Sequence, residues 1–302
     1  MTARVRGVVA AITTPVTEAG HPDIPRFLSR AQRLLADGCD GLNVLGTTGE
    51  ATSFSAEARE SLTDAVGRSG LPTSRLLVGV GAAALDDAVR LTKSAAANGF
   101  GGALVLPPFY YKAVADAGLM RFFDRLVTAT AAEAIPLYLY NFPALSGVTY
   151  TPALVEALVA AFGDRIAGLK DSSGDVPYSR QIAAISPDLD VFPSNEANLG
   201  LAREGGPFAG CISATANLNS ADCARGYREG DADALFRAIA FRNIFDGLPL
   251  VPAIKAMVAH LAADPAHELT LPPLAPLAAE QRRELFTRFG ALGRLEAPVA
   301  LA

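Results

Sequence analysis

The chain is poor in the residues that build disulfides and metal centres. Its 302 residues include three cysteines without CxxC spacing, and such a small, odd number favours reduced thiols in a cytoplasm. The three histidines are scattered and form no HxH or HExxH motif, so a metal site is not expected. We therefore expect a cytoplasmic protein whose chemistry requires no metal or other cofactor.

Blocks of basic charge and long apolar runs are also missing. The net charge is −5 without a Lys/Arg cluster, which argues against nucleic acid or an anionic membrane as partner. No apolar run is long enough to span a bilayer. The opening MTARVRGVVAAITTPV contains threonines, stops at Pro15 and lacks a cleavage pattern, so it is more typical of a first strand than of a signal peptide.

What the chain does have is a regular alternation of short apolar runs and longer helical segments. Half of its residues are hydrophobic and 19% are charged, a composition typical of a soluble globular protein with one large core. Most of the short runs are apolar throughout, which favours parallel strands covered on both faces. The predicted strands are 5–12, 41–45, 75–80, 101–106, 136–140, 165–169, 189–193 and 209–213. The predicted helices between them are 24–37, 56–68, 85–98, 114–133, 152–162, 176–185 and 196–204.

Eight strand–helix units in about 250 residues predict a (β/α)8 TIM barrel. The helix-rich, proline-interrupted segment 220–293 exceeds a single closing helix and predicts a C-terminal helical extension. We divide the chain into a barrel core, 1–219, and a closing helix with extension, 220–302, packed as one structural unit. An open doubly wound sheet with a separate helical domain is the alternative.

Polar residues follow several of the predicted strands, where barrels of this kind carry their active sites. The sequence GTTGE occupies 46–50 after the second strand, and PPFYY occupies 107–111 after the fourth. The fifth strand ends at Tyr140 and the sixth is followed by Lys170. If the strands are as predicted, one lysine, several tyrosine hydroxyls and a threonine pair meet on one rim.

Lys170 has two interpretations. It could extend its ammonium past a buried stem into water, as surface lysines do. Alternatively, an apolar setting disfavours the charged form, and a neutral amine can attack a carbonyl to form a Schiff base.

The tyrosine and the glycine-bounded loop are equally open to two interpretations. Tyr140 could pack in the barrel with its hydroxyl satisfied, or shuttle protons beside the lysine. The GTTG turn could simply lead into the helix capped by Ser55, or its amides and hydroxyls could hold a carboxylate. The loop lacks the Gly-Lys-Ser/Thr ending of a P-loop, so nucleotide binding is not expected.

Together these features fit a 2-oxo acid, whose ketone needs an amine and whose carboxylate needs hydrogen-bond donors. A phenol nearby would move the protons. The residues alone therefore predict a lysine-dependent lyase or synthase that acts on a 2-oxo acid.

Four motifs in order also resemble the dihydrodipicolinate synthase / N-acetylneuraminate lyase superfamily. The resemblance extends from the first strand to the C-terminal helices and includes ISATAN at 212–217 and IKAMVA at 254–259. It implies a (β/α)8 barrel with a helical extension and a homotetramer built as a dimer of dimers. The motifs are GTTGE at 46–50, PPFYY at 107–111, YNFPALSG at 140–147 and GLKD at 168–171.

The resemblance also implies roles for individual residues. Lys170 matches the Schiff-base lysine, and Tyr140 matches the tyrosine that shuttles protons and contacts the substrate carboxylate. Thr47 and Thr48 match the pair that holds this carboxylate. Tyr110 matches a tyrosine that, in many members, reaches across the dimer interface to complete the proton relay.

The remaining matched positions concern the pyruvate pocket and the choice of substrate. Ile212 matches a position whose backbone lies near bound pyruvate. Leu145 replaces the arginine with which the synthases grip the carboxylate of aspartate semialdehyde, and leucine cannot form that bidentate ion pair. Ser194 and Glu196 lie where neuraminate lyases carry two acids for sugar hydroxyls, and only one acid remains here.

These departures favour an aldolase that reversibly cleaves a 2-keto-3-deoxy sugar acid, or a similar 4-hydroxy-2-oxo acid, to pyruvate and an aldehyde. The alternatives within the family are 4-hydroxy-tetrahydrodipicolinate synthase, N-acetylneuraminate lyase, a hydratase-aldolase and a sugar-acid dehydratase. A non-catalytic protein that binds a 2-oxo acid is the alternative of a different class.

Overall fold

In the computed structural model, which describes residues 4–203 and 205–292, eight parallel strands form a nearly closed barrel. Neighbouring strands pair in the order β7-β6-β5-β4-β3-β2-β1-β8. Between β7 and β8, the amide of Ala209 donates to the carbonyl of Val191 at 2.9 Å. The strands are β1 (Gly7–Ala11), β2 (Gly41–Val44), β3 (Leu76–Gly79), β4 (Gly102–Val105), β5 (Leu137–Asn141), β6 (Ile166–Asp171), β7 (Asp190–Pro193) and β8 (Gly210–Ser213).

Helices follow the strands and cover the outside of the barrel. Short 3-10 helices occur at Ala51–Ser53, Thr73–Arg75, Gly163–Arg165, Glu196–Ala202 and Pro265–Glu268. The α-helices of the described residues are α1 (Ile24–Ala36), α2 (Ala56–Arg68), α3 (Leu85–Ala97), α4 (Asp116–Ala129), α5 (Pro143–Ser146), α6 (Pro152–Phe162), α7 (Val176–Ala183), α8 (Ala216–Arg228), α9 (Ala232–Asn243), α10 (Leu250–Ala262) and α11 (Ala279–Ala291).

The strands are apolar throughout because each has two buried faces. Successive side chains of a strand point to opposite faces of the sheet. In β1, Val8 and Ala10 therefore join the layer between barrel and helices, whereas Val9 and Ala11 join the barrel interior. The continuous hydrophobic pattern of the sequence follows directly from this double burial.

Local sequence determines where many of the outer helices begin. Each cap residue accepts a hydrogen bond from a backbone amide in the first turn, which satisfies a donor that the helix itself leaves free. The side chains that do so are Asp23 for α1, Ser55 for α2, Thr151 for α6, Asp175 for α7 and Asp231 for α9.

The prediction of a TIM barrel is confirmed, and all eight predicted strands occur at or within one or two residues of their expected places. Two helical segments differ from expectation. The segment predicted as a helix over 196–204 is a 3-10 helix at Glu196–Ala202, and residue 204 lies outside the described residues. The YNFPALSG motif contains the unpredicted four-residue helix α5, which ends at Gly147 with a left-handed φ of 66°.

The C-terminal helices form the predicted extension and have a hydrophobic cluster of their own. Phe241, Phe245, Met257 and Leu285 are buried in it together. The division proposed at 219/220 falls within α8, at Asn219, where the backbone departs from helical geometry (φ −120°, ψ 22°). Whether the two parts act as one structural unit remains a prediction. Among the described residues, no helix is both long and apolar enough to cross a membrane.

The extension contains a histidine whose charge should make stability depend on pH. Burial, aided by the nearby Arg30, lowers the pKa of His267 from 6.5 to about 4. Between these two pH values the unfolded chain binds a proton that the folded protein does not, so the free energy of unfolding falls as the pH is lowered. A shift of this size corresponds to at most about 3 kcal/mol, and partial exposure reduces it to about 1–2 kcal/mol.

We predict that His267→Gln removes about 1–2 kcal/mol of the loss in unfolding free energy between pH 6.5 and about 4. Urea unfolding at both pH values measures this difference. The matched control is His21→Gln, which removes an exposed histidine; an equally large effect of this variant would mean that burial of His267 is not the cause. An identical pH dependence in wild type and His267→Gln would contradict the assignment.

Candidate active site

The centre of the site is a pair of residues on two neighbouring strands. Tyr140 of β5 and Lys170 of β6 are register partners, so their side chains point to the same face of the sheet. The Lys170 Nζ lies 4.2 Å from the centroid of the Tyr140 ring, within the range of a cation–π contact. Lys170 is only 3% exposed and Tyr140 4%. The two strand ends thus hold the amine and the phenol together in a nearly water-free place.

The loop after β2 brings a threonine to this pair. The Thr47 Oγ1 and the Tyr140 hydroxyl are 3.0 Å apart and hydrogen-bonded, and the adjacent Thr48 is buried. The loop needs glycine at Gly46, because a Cβ there would lie 2.3 Å from the Asn43 Nδ2. The structure therefore brings together three of the residue types that the sequence placed on one rim.

The surroundings of the lysine leave its amine unengaged. Among the described residues, Lys170 Nζ has no hydrogen-bond or ion-pair partner. Its register partner on the other side, Phe192, is apolar and fully buried. The exposed fraction of Lys170, 3%, favours the interpretation of a buried lysine over that of a lysine that extends into water.

Asp171, the residue that follows Lys170 in the chain, has a carboxylate that is hydrogen-bonded to other residues. Asp171 accepts hydrogen bonds from the Asn141 Nδ2, the Ser173 hydroxyl and the Ser179 hydroxyl, each at 2.8 Å. It also accepts from the amide of Ser173 at 3.0 Å. Asn141 in turn accepts from the amide of Tyr150 at 3.2 Å. This network fixes the ends of β5 and β6, and it lies on the face opposite the Lys170 amine because successive side chains of a strand point to opposite faces.

Of three other predicted residues, one lies near this centre and two lie apart from it. Ile212 is buried in the barrel interior, in the same cluster as Tyr140. Tyr110, in contrast, is 74% exposed and packs edge-to-face on Tyr111. Leu145 is 58% exposed on α5. A single copy of the chain therefore places neither Tyr110 nor Leu145 in the buried centre.

The two residues at the end of β7 have different environments. Ser194 is half-buried. Glu196 is buried, and its Oε1 accepts hydrogen bonds from the hydroxyls of Ser213 and Thr215 at the end of β8. Its Oε2 lies 3.5 Å from the guanidinium of Arg242 on α9. One oxygen of the expected sugar-binding acid is thus already committed to neighbouring residues.

Sequence reasoning missed three polar residues that the structure buries near the site. Asn43 lies fully buried beneath Gly46, and neither polar atom of its side chain has a hydrogen-bond partner among the described residues. Glu50 and Lys255 form a buried ion pair. Both residues lie in motifs that were noted, GTTGE and IKAMVA, but their spacing of 205 residues gave no sign that they meet.

The fold and this site define a barrel enzyme with a buried amine at the carboxyl ends of its strands. The sequence model of the dihydrodipicolinate synthetase family matches residues 4–290. The chain therefore belongs to that family, and it is an enzyme of the lyase class.

Known relatives cover almost the whole chain. An uncharacterized DapA-like lyase of Chloroflexus aurantiacus is 34% identical over 286 residues, 92% of this chain and 94% of the relative. The crystal structure of dihydrodipicolinate synthase from Agrobacterium tumefaciens has 30% identity and a TM-score of 0.87, over 95% of this chain and 99% of that one.

YagE of Escherichia coli K12 is similar in both sequence and structure. It bears the provisional name of a 2-dehydro-3-deoxy-D-gluconate aldolase and is 29% identical over 301 residues, 93% of this chain and 95% of YagE. Its crystal structure in complex with pyruvate has a TM-score of 0.84 at 28% identity, over 96% of this chain and 99% of that one.

The role of Asp171 as the anchor of both strand ends can be measured by stability. We predict that Asp171→Ala lowers the free energy of unfolding by about 3 kcal/mol, because it leaves several buried donors without their acceptor. Ser179→Ala is the matched control, since it removes one hydroxyl from the same carboxylate and should cost about 1 kcal/mol. Equal losses for the two variants in urea unfolding would show that Asp171 is not the anchor.

Proposed function

We propose that this protein is a Schiff-base aldolase that reversibly cleaves a 2-keto-3-deoxy sugar acid, or a similar 4-hydroxy-2-oxo acid, to pyruvate and an aldehyde. The observation that carries the proposal is the cluster of the buried Lys170 and Tyr140 with the half-buried Thr47. Condensation with a keto acid requires an amine, a phenol and a hydroxyl, and here both the amine of Lys170 and the hydroxyl of Thr47 contact Tyr140. The family resemblance and the pyruvate complex of YagE support the same assignment.

The first step forms the covalent intermediate. The neutral amine of Lys170 attacks the ketone carbon of the 2-oxo acid, and loss of water with uptake of one proton from solvent gives a protonated imine. The hydroxyls and amides of the Thr47-Thr48 loop hold the carboxylate of the acid, as such groups do for anions. The position of the amine supports this step, because the 3% exposed Lys170 lies beside the Tyr140 ring and has no hydrogen-bond or ion-pair partner among the described residues.

The second step breaks the bond between C3 and C4 of the substrate. The Tyr140 hydroxyl accepts the proton of the C4 hydroxyl while it passes its own to Thr47, its partner at 3.0 Å, and the Thr47 hydroxyl in turn releases its proton to solvent along the relay. The electron pair of the broken bond moves into the protonated imine and gives an enamine, and the aldehyde leaves. Protonation at C3 and hydrolysis then release pyruvate and restore the free amine. The reverse sequence is an aldol addition.

Leu145 supports the choice of a sugar acid over aspartate semialdehyde. It stands where the resemblance places the arginine of the synthases, and an exposed leucine offers no charge to a second carboxylate. Ser194 is the group that we assign to sugar hydroxyls, because both oxygens of the buried Glu196 are engaged within the chain. The provisional name of YagE agrees with this substrate class. The similarity to the Agrobacterium synthase keeps 4-hydroxy-tetrahydrodipicolinate synthase as the second candidate.

We also propose that the enzyme is a cytoplasmic homotetramer, built from dimers in which Tyr110 completes the proton relay of a second copy. The exposure of Tyr110 supports this arrangement, because an aromatic ring that projects into solvent is available to a neighbouring copy. The three cysteines, all buried and free, are in keeping with a reducing compartment.

The covalent intermediate can be trapped. We predict that borohydride in the presence of pyruvate adds a reduced pyruvyl group to the wild-type chain at Lys170, and that Lys170→Ala abolishes both the adduct and turnover. Peptide mass spectrometry locates the modification. An adduct on another lysine, or none at all, would refute the proposed nucleophile.

Tyr140→Phe is the matched control for Lys170→Ala, because it separates the role of the phenol from the role of the amine. It keeps the aromatic ring over Lys170 and removes only the hydroxyl, so the adduct should still form while cleavage slows by about 100-fold or more. An unchanged cleavage rate would show that another group moves the proton.

A panel of substrates separates the candidate activities. We predict that 2-keto-3-deoxy sugar acids release pyruvate with a kcat/KM at least about tenfold above that of N-acetylneuraminate, and that aspartate semialdehyde is a poor acceptor.

Leu145→Arg supplies the missing guanidinium and should raise the activity with aspartate semialdehyde by about tenfold, the value of one charged hydrogen-bonded pair. Efficient synthase activity of the wild-type enzyme would instead establish the second candidate. Binding of these acids without turnover would establish the non-catalytic alternative.

A further inference from the structure

A buried ion pair joins the active-site loop to the C-terminal extension. Glu50 ends the GTTGE loop and Lys255 lies in the middle of α10, and both side chains are 0% exposed. Taking two charges out of water is costly, and apolar residues in their place are often equally stable. The pair is therefore poorly explained as a source of stability alone.

Further contacts bring four separate parts of the chain together at this pair. The Lys255 ammonium donates to the carbonyl of Thr14, just after β1, at 3.0 Å. The Glu50 Oε2 accepts from the amide of Leu271, in the segment that follows the last 3-10 helix, at 2.7 Å. The Thr14 hydroxyl donates to the carbonyl of Gly49 at 2.9 Å. Each contact ends on the loop or on a residue that itself holds the loop.

The backbone of the loop shows why it needs such support. Glu50 has a left-handed φ of 55°, a conformation that is unfavourable for residues other than glycine and persists only where the surroundings enforce it. Its amide donates to the carbonyl of Thr47 at 3.0 Å and closes the turn that contains Thr47 and Thr48. Fixing the side chain of Glu50 therefore fixes the turn that presents both threonines.

We infer that Glu50 and Lys255 are positioning residues that hold the Thr47-Thr48 turn in the shape that binds the carboxylate of the 2-oxo acid. The C-terminal extension then contributes to the active site through this ion pair. This inference rests on the proposed function, because it assumes that the turn binds that carboxylate.

A positioning role and a purely structural role predict different kinetics. If the pair positions the turn, its loss weakens binding of the carboxylate and raises the KM for the 2-oxo acid. The contact between Lys170 and Tyr140 is kept, so kcat changes little. If the pair has only a structural role, its removal would lower thermal stability without changing KM. The change in KM relative to the change in kcat therefore separates the two roles, whereas a change in stability does not.

The variants are chosen so that at least one should fold. Glu50→Gln and Lys255→Met each leave one buried charge unpaired, and the double variant removes both charges. Thr14→Val is the mild variant, because it loses only the hydroxyl bond to Gly49. Arg6→Met is the matched control: it breaks an ion pair of 2.5 Å with the buried Asp190 at the opposite mouth of the barrel.

We expect the concentration of pyruvate for half-maximal borohydride trapping, and the KM for the sugar acid, to rise about tenfold or more in Glu50→Gln and Lys255→Met. Thr14→Val should raise both by about fivefold, and kcat should stay within about threefold of wild type in all variants. Arg6→Met should change neither value. Unchanged KM values in the Glu50, Lys255 and Thr14 variants would overturn the inference, whatever their melting temperatures.

A second measurement needs no catalysis and keeps the two proposals apart. Hydrogen exchange should show lost protection of the amides of residues 46–50 in Glu50→Gln and Lys255→Met, and none in Arg6→Met. Unchanged protection would overturn the positioning role even if the proposed activity is confirmed. A wild-type chain that forms no adduct with pyruvate would refute the proposed function, while loss of protection in the same variants would still establish that the pair holds the turn.

Discussion

The in-register pairing of Tyr140 with Lys170 is the interaction on which the site depends. Neighbouring parallel strands place register partners on the same face, so a shift of one strand by one residue would turn the amine out of the barrel. The network around Asp171 opposes such a shift, because it ties the ends of β5 and β6 to each other and to α7. Chemistry and fold are therefore stabilised by the same few contacts.

The barrel supplies the apolar setting in which an amine is reactive. Phe192 on the next strand and Ile212 on β8 line the interior near the pair, and water has little access to it. Under the proposed function, a protonated imine on Lys170 would be stabilised by the facing Tyr140 ring and by a bound carboxylate. The same burial that costs stability can thus favour condensation with a keto acid.

The helical extension adds a second constraint to the barrel. The extension packs around a hydrophobic cluster of its own, and Lys255 extends from it to Glu50 in the active-site loop. An extension that is remote in sequence is thereby in direct contact with the loop. This contact offers a physical reason for a barrel enzyme to carry more than the single helix that closes the barrel.

Much of this protein was determined by local sequence. The apolar runs predicted all eight strands, because burial on both faces removes polar residues from them, and cap residues such as Ser55 predicted where helices begin. Lys170, Tyr140 and the threonine pair could be placed on one rim, because parallel strands of a barrel all end at the same mouth. The short helix α5 and the 3-10 geometry of Glu196–Ala202 escaped prediction, because segments of one or two turns carry too little periodicity.

Only the tertiary structure decided which polar groups are engaged and which are free. Nothing in the sequence distinguishes Glu196, which is tied to Ser213 and Thr215, from an acid available to substrate. The sequence around Glu50 does not indicate that its partner is Lys255, 205 residues further along the chain. Hydrogen bonds and ion pairs act over a few ångströms in space and are independent of distance along the chain, so these residues acquire their partners only when the barrel closes.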